Sequence, residues 1–152
     1  MPHRIRGWIA GVVLLSAGAA AAQTPDQAAI SGLLHTTFDR PASELVIAPV
    51  VVAGNHAIAG WTQGEMGGRA LLRRRGQNWV LILCAGDGIK SRDALVKAGI
   101  PIEDASALER NLAAAEGKLP LEQVAMFSRF EGVMMMDDNG THPRQVHPHA
   151  KN

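Results

Sequence analysis

Met134-Met135-Met136 stands directly before Asp137-Asp138, and His142, His147 and His149 follow within a short reach. Thioether sulfur is a soft donor suited to Cu(I), and imidazole serves Cu(I), Cu(II) and Zn(II), so a mixed methionine and histidine set points to copper. Three successive methionines point in different directions in any regular backbone, so at most two of them face one ion. The bland alternative is that the methionines fill gaps in a core and the histidines are solvated. The His147-Pro148-His149 spacing matches no closed structural zinc signature.

Other candidates carry less. Cys84, the only cysteine, is open to three readings: a soft ligand, a redox thiol, or a core residue. Its place at the end of an apolar run favours burial, because a free thiol packs as a small hydrophobe. A thiol nucleophile needs a base, and the sequence fixes neither His35 nor His56 beside it. No catalytic constellation stands out, so the chain does not read as an enzyme. Arg73-Arg74-Arg75 alternates sides on a strand, which sets Arg69, Arg73 and Arg75 in one row and Arg74 opposite. Such a row suits an anion or an acidic partner, and more commonly it is a solvated face that protects a sheet edge. Asp137-Asp138-Asn139-Gly140 resembles a calcium loop, yet the first and twelfth ligand positions fall on Met135 and Val146. Gly64 to Gly68 lacks the lysine and hydroxyl of a phosphate-binding loop.

Export and charge narrow the setting. His3, Arg4 and Arg6 precede an apolar stretch from Gly7 to Gly18, and Ala20-Ala21-Ala22 forms a small-residue cleavage pattern. Residues 1–22 therefore read as a signal peptide rather than an uncleaved anchor. The expected mature protein is then not an integral membrane protein. The chain has 15 basic and 14 acidic side chains, and loss of Arg4 and Arg6 leaves a small acidic excess. No bulk charge remains to attract nucleic acid. A bacterial periplasm is the expected compartment, an oxidising space in which a single cysteine cannot form an internal bridge.

The elements that must position these residues read as one α+β domain over 23–136, followed by a flexible tail over 137–152. Thr24-Pro25-Asp26-Gln27 is a capping-box start, and Ile30, Leu33, Leu34 and Phe38 recur at helical spacing over Pro25 to Phe38. Strands follow over Glu44 to Ala53, with Pro49 marking an edge or a bulge, and over His56 to Gln63 and Arg69 to Arg75. The run Asn78 to Ala85, bounded by Gly86-Asp87-Gly88, is the strand on which the fold is assembled. Short connections imply an antiparallel meander of about four strands. Two or three helices come next: Ser91 caps one through Lys97, and Ala105, Leu108, Leu112 and Ala115 form the stripe of a second, closed by Gly117 in a left-handed cap. Pro120 opens a third with Leu121, Val124 and Phe127 inward. Phe130 to Met136 is compatible with a continued helix or with a strand.

The segment AIAGWTQGEMGGRALLRRRGQNWVLILCAGDGIK (Ala57 to Lys90), then ALVKAGIP, the Glu-Ala-rich helix and VAMFSRFEGVMMM, resembles small secreted proteobacterial proteins called copper uptake system-associated proteins. The resemblance covers most of the mature chain and implies company with periplasmic copper acquisition, without a reaction or a ligand set to transfer. Joined to the donor inventory, it gives the expectation of a periplasmic accessory protein of copper uptake. Such a protein binds or passes copper through Met134, Met135, Met136, His142, His147 and His149, with a copper chaperone or an outer- or inner-membrane transporter as partner. The alternative is a module that binds no metal and docks a transporter or chaperone. On the copper reading, truncation after Val133 abolishes binding and leaves the fold intact.

Overall fold

The computed structural model describes residues 21–144. The expected leader lies outside them but for its last two residues, and so do His147 and His149. Helix α1 (Pro25–Phe38) starts as its sequence dictates: the Gln27 N–H donates to Thr24 Oγ1 and the Gln27 side chain accepts from the Thr24 N–H. Four strands follow, β1 (Leu45–Ala53), β2 (His56–Gln63), β3 (Met66–Arg75) and β4 (Asn78–Ala85). Then come α2 (Arg92–Lys97), α3 (Ile102–Glu116), α4 (Leu121–Phe127) and a three-residue strand β5 (Val133–Met135).

The sheet is antiparallel throughout, in the order β1-β2-β3-β4-β5. It therefore has five strands, one more than the meander expected. A three-residue strand is too short to show a period of two, so its place came from pairing with β4 rather than from its own pattern. β1 is an edge strand, and its ladder with β2 slips between Ile47 and Val50, around Pro49.

Helices cover both faces of the sheet. On one side Ile30 and Leu34 of α1 pack on Val50, Ala57, Ala59, Ala70, Leu72 and Leu81. On the other, Leu95 of α2 and Ala105, Leu108 and Leu112 of α3 pack on Val51, Ile58, Leu71 and Leu83. Alternation along each strand supplies the two faces, with one interruption. Leu71 pairs with Leu83 and Leu72 with Leu81, so Ile82 is an extra residue in β4. Trp79 and Leu81 face α1, Ile82 and Leu83 both face α3, and Cys84 is turned back to the α1 side. A bulge shifts the phase of every residue beyond it.

Three expectations are corrected by packing. Leu121 is 84% exposed, because the first turn of the short α4 stands off the sheet and Phe127 alone is fully buried. Gly117 closes α3 with φ −62°, in the right-handed region. The arginine row is broken: Arg69 is fully buried, while Arg73 and Arg75 are exposed.

Candidate functional site

β5 fixes the methionines. Val133, Met134 and Met135 stand opposite Ala85, Cys84 and Leu83, and the Met136 N–H donates to Ile82 O at 2.9 Å. Met134 and Met136 thus turn toward the α1-side core, where Met136 is buried, while Met135 faces the other way and is 42% exposed. Two of the three share a side, the most that alternation allows.

The chain then folds back on itself. The Asp137 N–H donates to His142 O (2.8 Å), the Arg144 N–H donates to Met135 O (2.8 Å), and Asp137 Oδ1 accepts from the Thr141 N–H (2.9 Å). Gly140 makes the turn possible, with φ +70°; a Cβ there would lie 2.7 Å from Leu81 O and 2.8 Å from Leu81 N. The first eight residues of the expected tail therefore fold back on the end of β5, with Gly140 set against Leu81 of β4. Truncation after Val133 would remove buried Met136 and this docked turn together, so the fold is not expected to survive it intact.

In this ladder residues 135, 137, 142 and 144 lie on one face. Met135, Asp137 and Arg144 border one surface hollow, and Asp137, His142 and Arg144 border the next. His142 Nδ1 lies 3.6 Å from Asp137 Oδ2 on a side chain that is 81% exposed. Hydrogen bonding by the Thr141 backbone N–H, and then by that of His142, holds the Asp137 carboxyl below its ordinary range despite some desolvation. Met135, Asp137 and His142 thus share one face of this ladder, the thioether bordering one hollow, the imidazole the other, and the Asp137 carboxylate both.

A second feature lies inside. A cavity of about 90 Å³ opens on the α1 side, walled by Leu34, Phe38, Trp61, Phe130, Cys84 and Met134 among others. Trp61 and Phe130 meet edge to face at 5.8 Å between ring centroids. Gly68 makes room for them, since a Cβ there would come 2.9 Å from Trp61 Cζ2 and 3.0 Å from Phe130 Cβ. Among the described residues the buried Trp61 indole N–H has no acceptor. Burial pushes the Cys84 thiol up to about 12, because apolar surroundings penalise the thiolate.

His56, His35 and Arg74 have structural partners. His56 Nδ1 lies 2.7 Å from Asp104 Oδ2 on the α3 side of the sheet, opposite the face that carries Cys84, so His56 cannot serve that thiol as a base. His35 is paired with Asp39. Arg74 donates to Asp26 Oδ2 (2.6 Å) and lies over the Trp79 ring, and this ties the start of α1 to the sheet.

Buried Arg69 went unrecognised in the sequence. Its Nε and Nη2 donate to Glu116 Oε1 (2.6 Å) and Oε2 (2.9 Å), and Nη1 donates to Gly86 O (3.2 Å) and Asp87 Oδ1 (3.1 Å). The guanidinium stacks 5.2 Å from the Phe127 centroid. One signal was available: Glu116 continues the apolar stripe of Leu108 and Leu112, where a carboxylate needs a buried cation.

Among the described residues no three histidine, cysteine, aspartate or glutamate side chains gather as a metal-holding group. No helix among those residues is long and apolar enough to cross a membrane. Comparison with protein-family models, with curated proteins and with solved structures finds no match to this chain.

Proposed function

We propose that the chain is a periplasmic accessory protein of copper uptake, exported by the leader at 1–22, that binds or passes copper through its C-terminal segment. The observation that carries this reading is the ladder between 135–137 and 142–144, which sets Met135, Asp137 and His142 on one face at an exposed edge. Diagonal neighbours across such a ladder are about 7–8 Å apart at the backbone, within reach of long side chains. The thioether and imidazole suit Cu(I), and the imidazole and carboxylate suit Cu(II). A site at the sheet edge can be loaded and unloaded by a partner without opening the core. His147 and His149, three and five residues past Arg144, are the further donors proposed.

The test is titration of the full chain with Cu(I) under anaerobic conditions and with Cu(II) in air, against a Met135→Leu/His142→Ala variant. Both side chains are exposed, so the fold should be retained. Binding weakened at least about tenfold in one oxidation state, or 1.4 kcal/mol, is expected. Unchanged affinity in both states would remove the ladder as the site. The second reading, a docking module without metal, draws on the exposed side chains of Ile102 and Leu121; it is favoured if the unmodified chain takes up neither ion.

A further inference from the structure

We infer that Cys84 and Met134 form a separate internal site for a soft monovalent metal ion, Cu(I), at the wall of the apolar cavity. The identity of the ion rests on the copper-handling reading, while the site rests on the sulfur pair. Directly opposed residues of an antiparallel ladder have Cβ atoms about 4.5–5.5 Å apart and point to the same side. Cys84 and Met134 are such a pair, and both border the same cavity. Side chains rooted that close together can bring both sulfurs onto one ion at about 2.3 Å from each.

Charge selects the ion. Cu(I) binds as the Cys84 S–H bond breaks and an S–Cu bond forms; the proton leaves to solvent, and Met134 Sδ adds a lone pair with no proton exchanged. No electron is transferred. One positive charge replaces another, so the cavity remains neutral before and after. A divalent ion at the same pair would leave a net positive charge among Leu34, Phe38 and Phe130, and an uncompensated charge in apolar surroundings is strongly disfavoured. Low coordination by soft sulfur is also what Cu(I) accepts and Zn(II) does not. Phe38, Trp61 and Phe130 are among the walls, so the surroundings of the pair are largely apolar.

The bulge at Ile82 is what makes the pair. Without it, Cys84 would face the α3 side.

The experiment uses the full chain, with Cu(I) in competition with a chelator and Ag(I) as a redox-inert probe. Variants are Cys84→Ser, Cys84→Ala and Met134→Leu, each also made in the Met135→Leu/His142→Ala background. In that background one equivalent of Cu(I) or Ag(I) should remain, should be lost with either Cys84 substitution, and should bind at least about tenfold more weakly with Met134→Leu. X-ray absorption of the Cu(I)-loaded background variant should show two sulfur neighbours. Met134→Leu keeps the apolar volume, so it decides the matter if both Cys84 variants misfold. Retention of that equivalent at full strength in folded Cys84 variants, or fewer than two sulfur neighbours, overturns the internal site. Loss of all binding in the Met135→Leu/His142→Ala background also overturns it, and leaves the edge site standing. A chain whose copper is untouched by that background but lost with Cys84 overturns the edge site instead.

Discussion

Cys84 and Met134 face each other across the β4–β5 ladder and wall the same cavity, although fifty residues of chain separate them. Their meeting depends on two irregular features, the extra residue Ile82 in β4 and a strand of three residues at the sheet edge. The helices α2, α3 and α4 lie between them in sequence and pack elsewhere. The sulfur pair is thus a product of topology.

The thiol should be slow to react in the native protein. Burial raises the Cys84 pKa from 9.0 to about 12, so near pH 8 its thiolate fraction is about a thousandfold below that of the unfolded chain. Iodoacetamide labelling with and without denaturant measures the ratio; equal rates would contradict burial. The sign for stability follows from the same shift. A thiol that holds its proton more tightly in the folded state stabilises the fold at pH below 9.0, and that contribution is lost as pH rises toward about 12.

Breaking the Arg69–Glu116 pair should be costly. Glu116→Ala leaves a fully buried guanidinium without its two shortest hydrogen bonds, a loss of about 3–5 kcal/mol. Replacing both partners by apolar residues of similar volume, Arg69→Met with Glu116→Leu, should recover most of it. Urea denaturation of the single and double variants tests this, and a mild single variant would show that the pair contributes little.

Gly140→Ala should destabilise the docked turn by about 1–3 kcal/mol, through a strained positive φ and a close approach to Leu81. Ending the chain after Val133 should lower the melting temperature well below that of a chain ended after Arg144, because only the shorter chain loses Met136 and the turn. Equal melting of the two truncated chains would show that Met136 and the turn add nothing to the fold.

Acid should loosen this turn before the sheet. The Asp137 carboxylate has a depressed pKa in the folded protein, chiefly through the Thr141 backbone N–H. Its contribution is therefore present above the ordinary carboxylate range and is lost as pH falls through the depressed value. Amide exchange at Thr141 should accelerate on acidification relative to the protected amides of β3; a constant ratio would contradict the linkage.

Much of the scaffold was legible because the signals were local. The capping box at Thr24, the turns at Gly54 and Gly76 and the stripe along α3 each act within a few residues, and the structure has them where the sequence places them. The glycine-rich Gly64 to Gly68 reads as one loop, yet only Gly64 and Glu65 turn, and β3 pairs with β2 from Met66 onward rather than from Arg69. Pro49 correctly marked an irregular edge strand. What escaped was set by distant partners. The bulge at Ile82 leaves no trace in an unbroken apolar run, so the face of Cys84 could not be read. Arg69 looked like one member of a solvated row, since only the approach of Glu116 shows that its charge is neutralised inside. The donors of the C-terminal segment were visible as residue types, while their division between core and surface followed from the pairing of β5.

The most direct measurement is anaerobic competition of the purified full chain with a Cu(I) chelator, followed by the Met135→Leu/His142→Ala variant combined with Cys84→Ser. The unmodified chain should withdraw Cu(I) from the chelator, and the combined variant, still folded by circular dichroism, should not. An unmodified chain that leaves all copper with the chelator, or a combined variant that binds as strongly as the unmodified one, would contradict copper binding at these two sites.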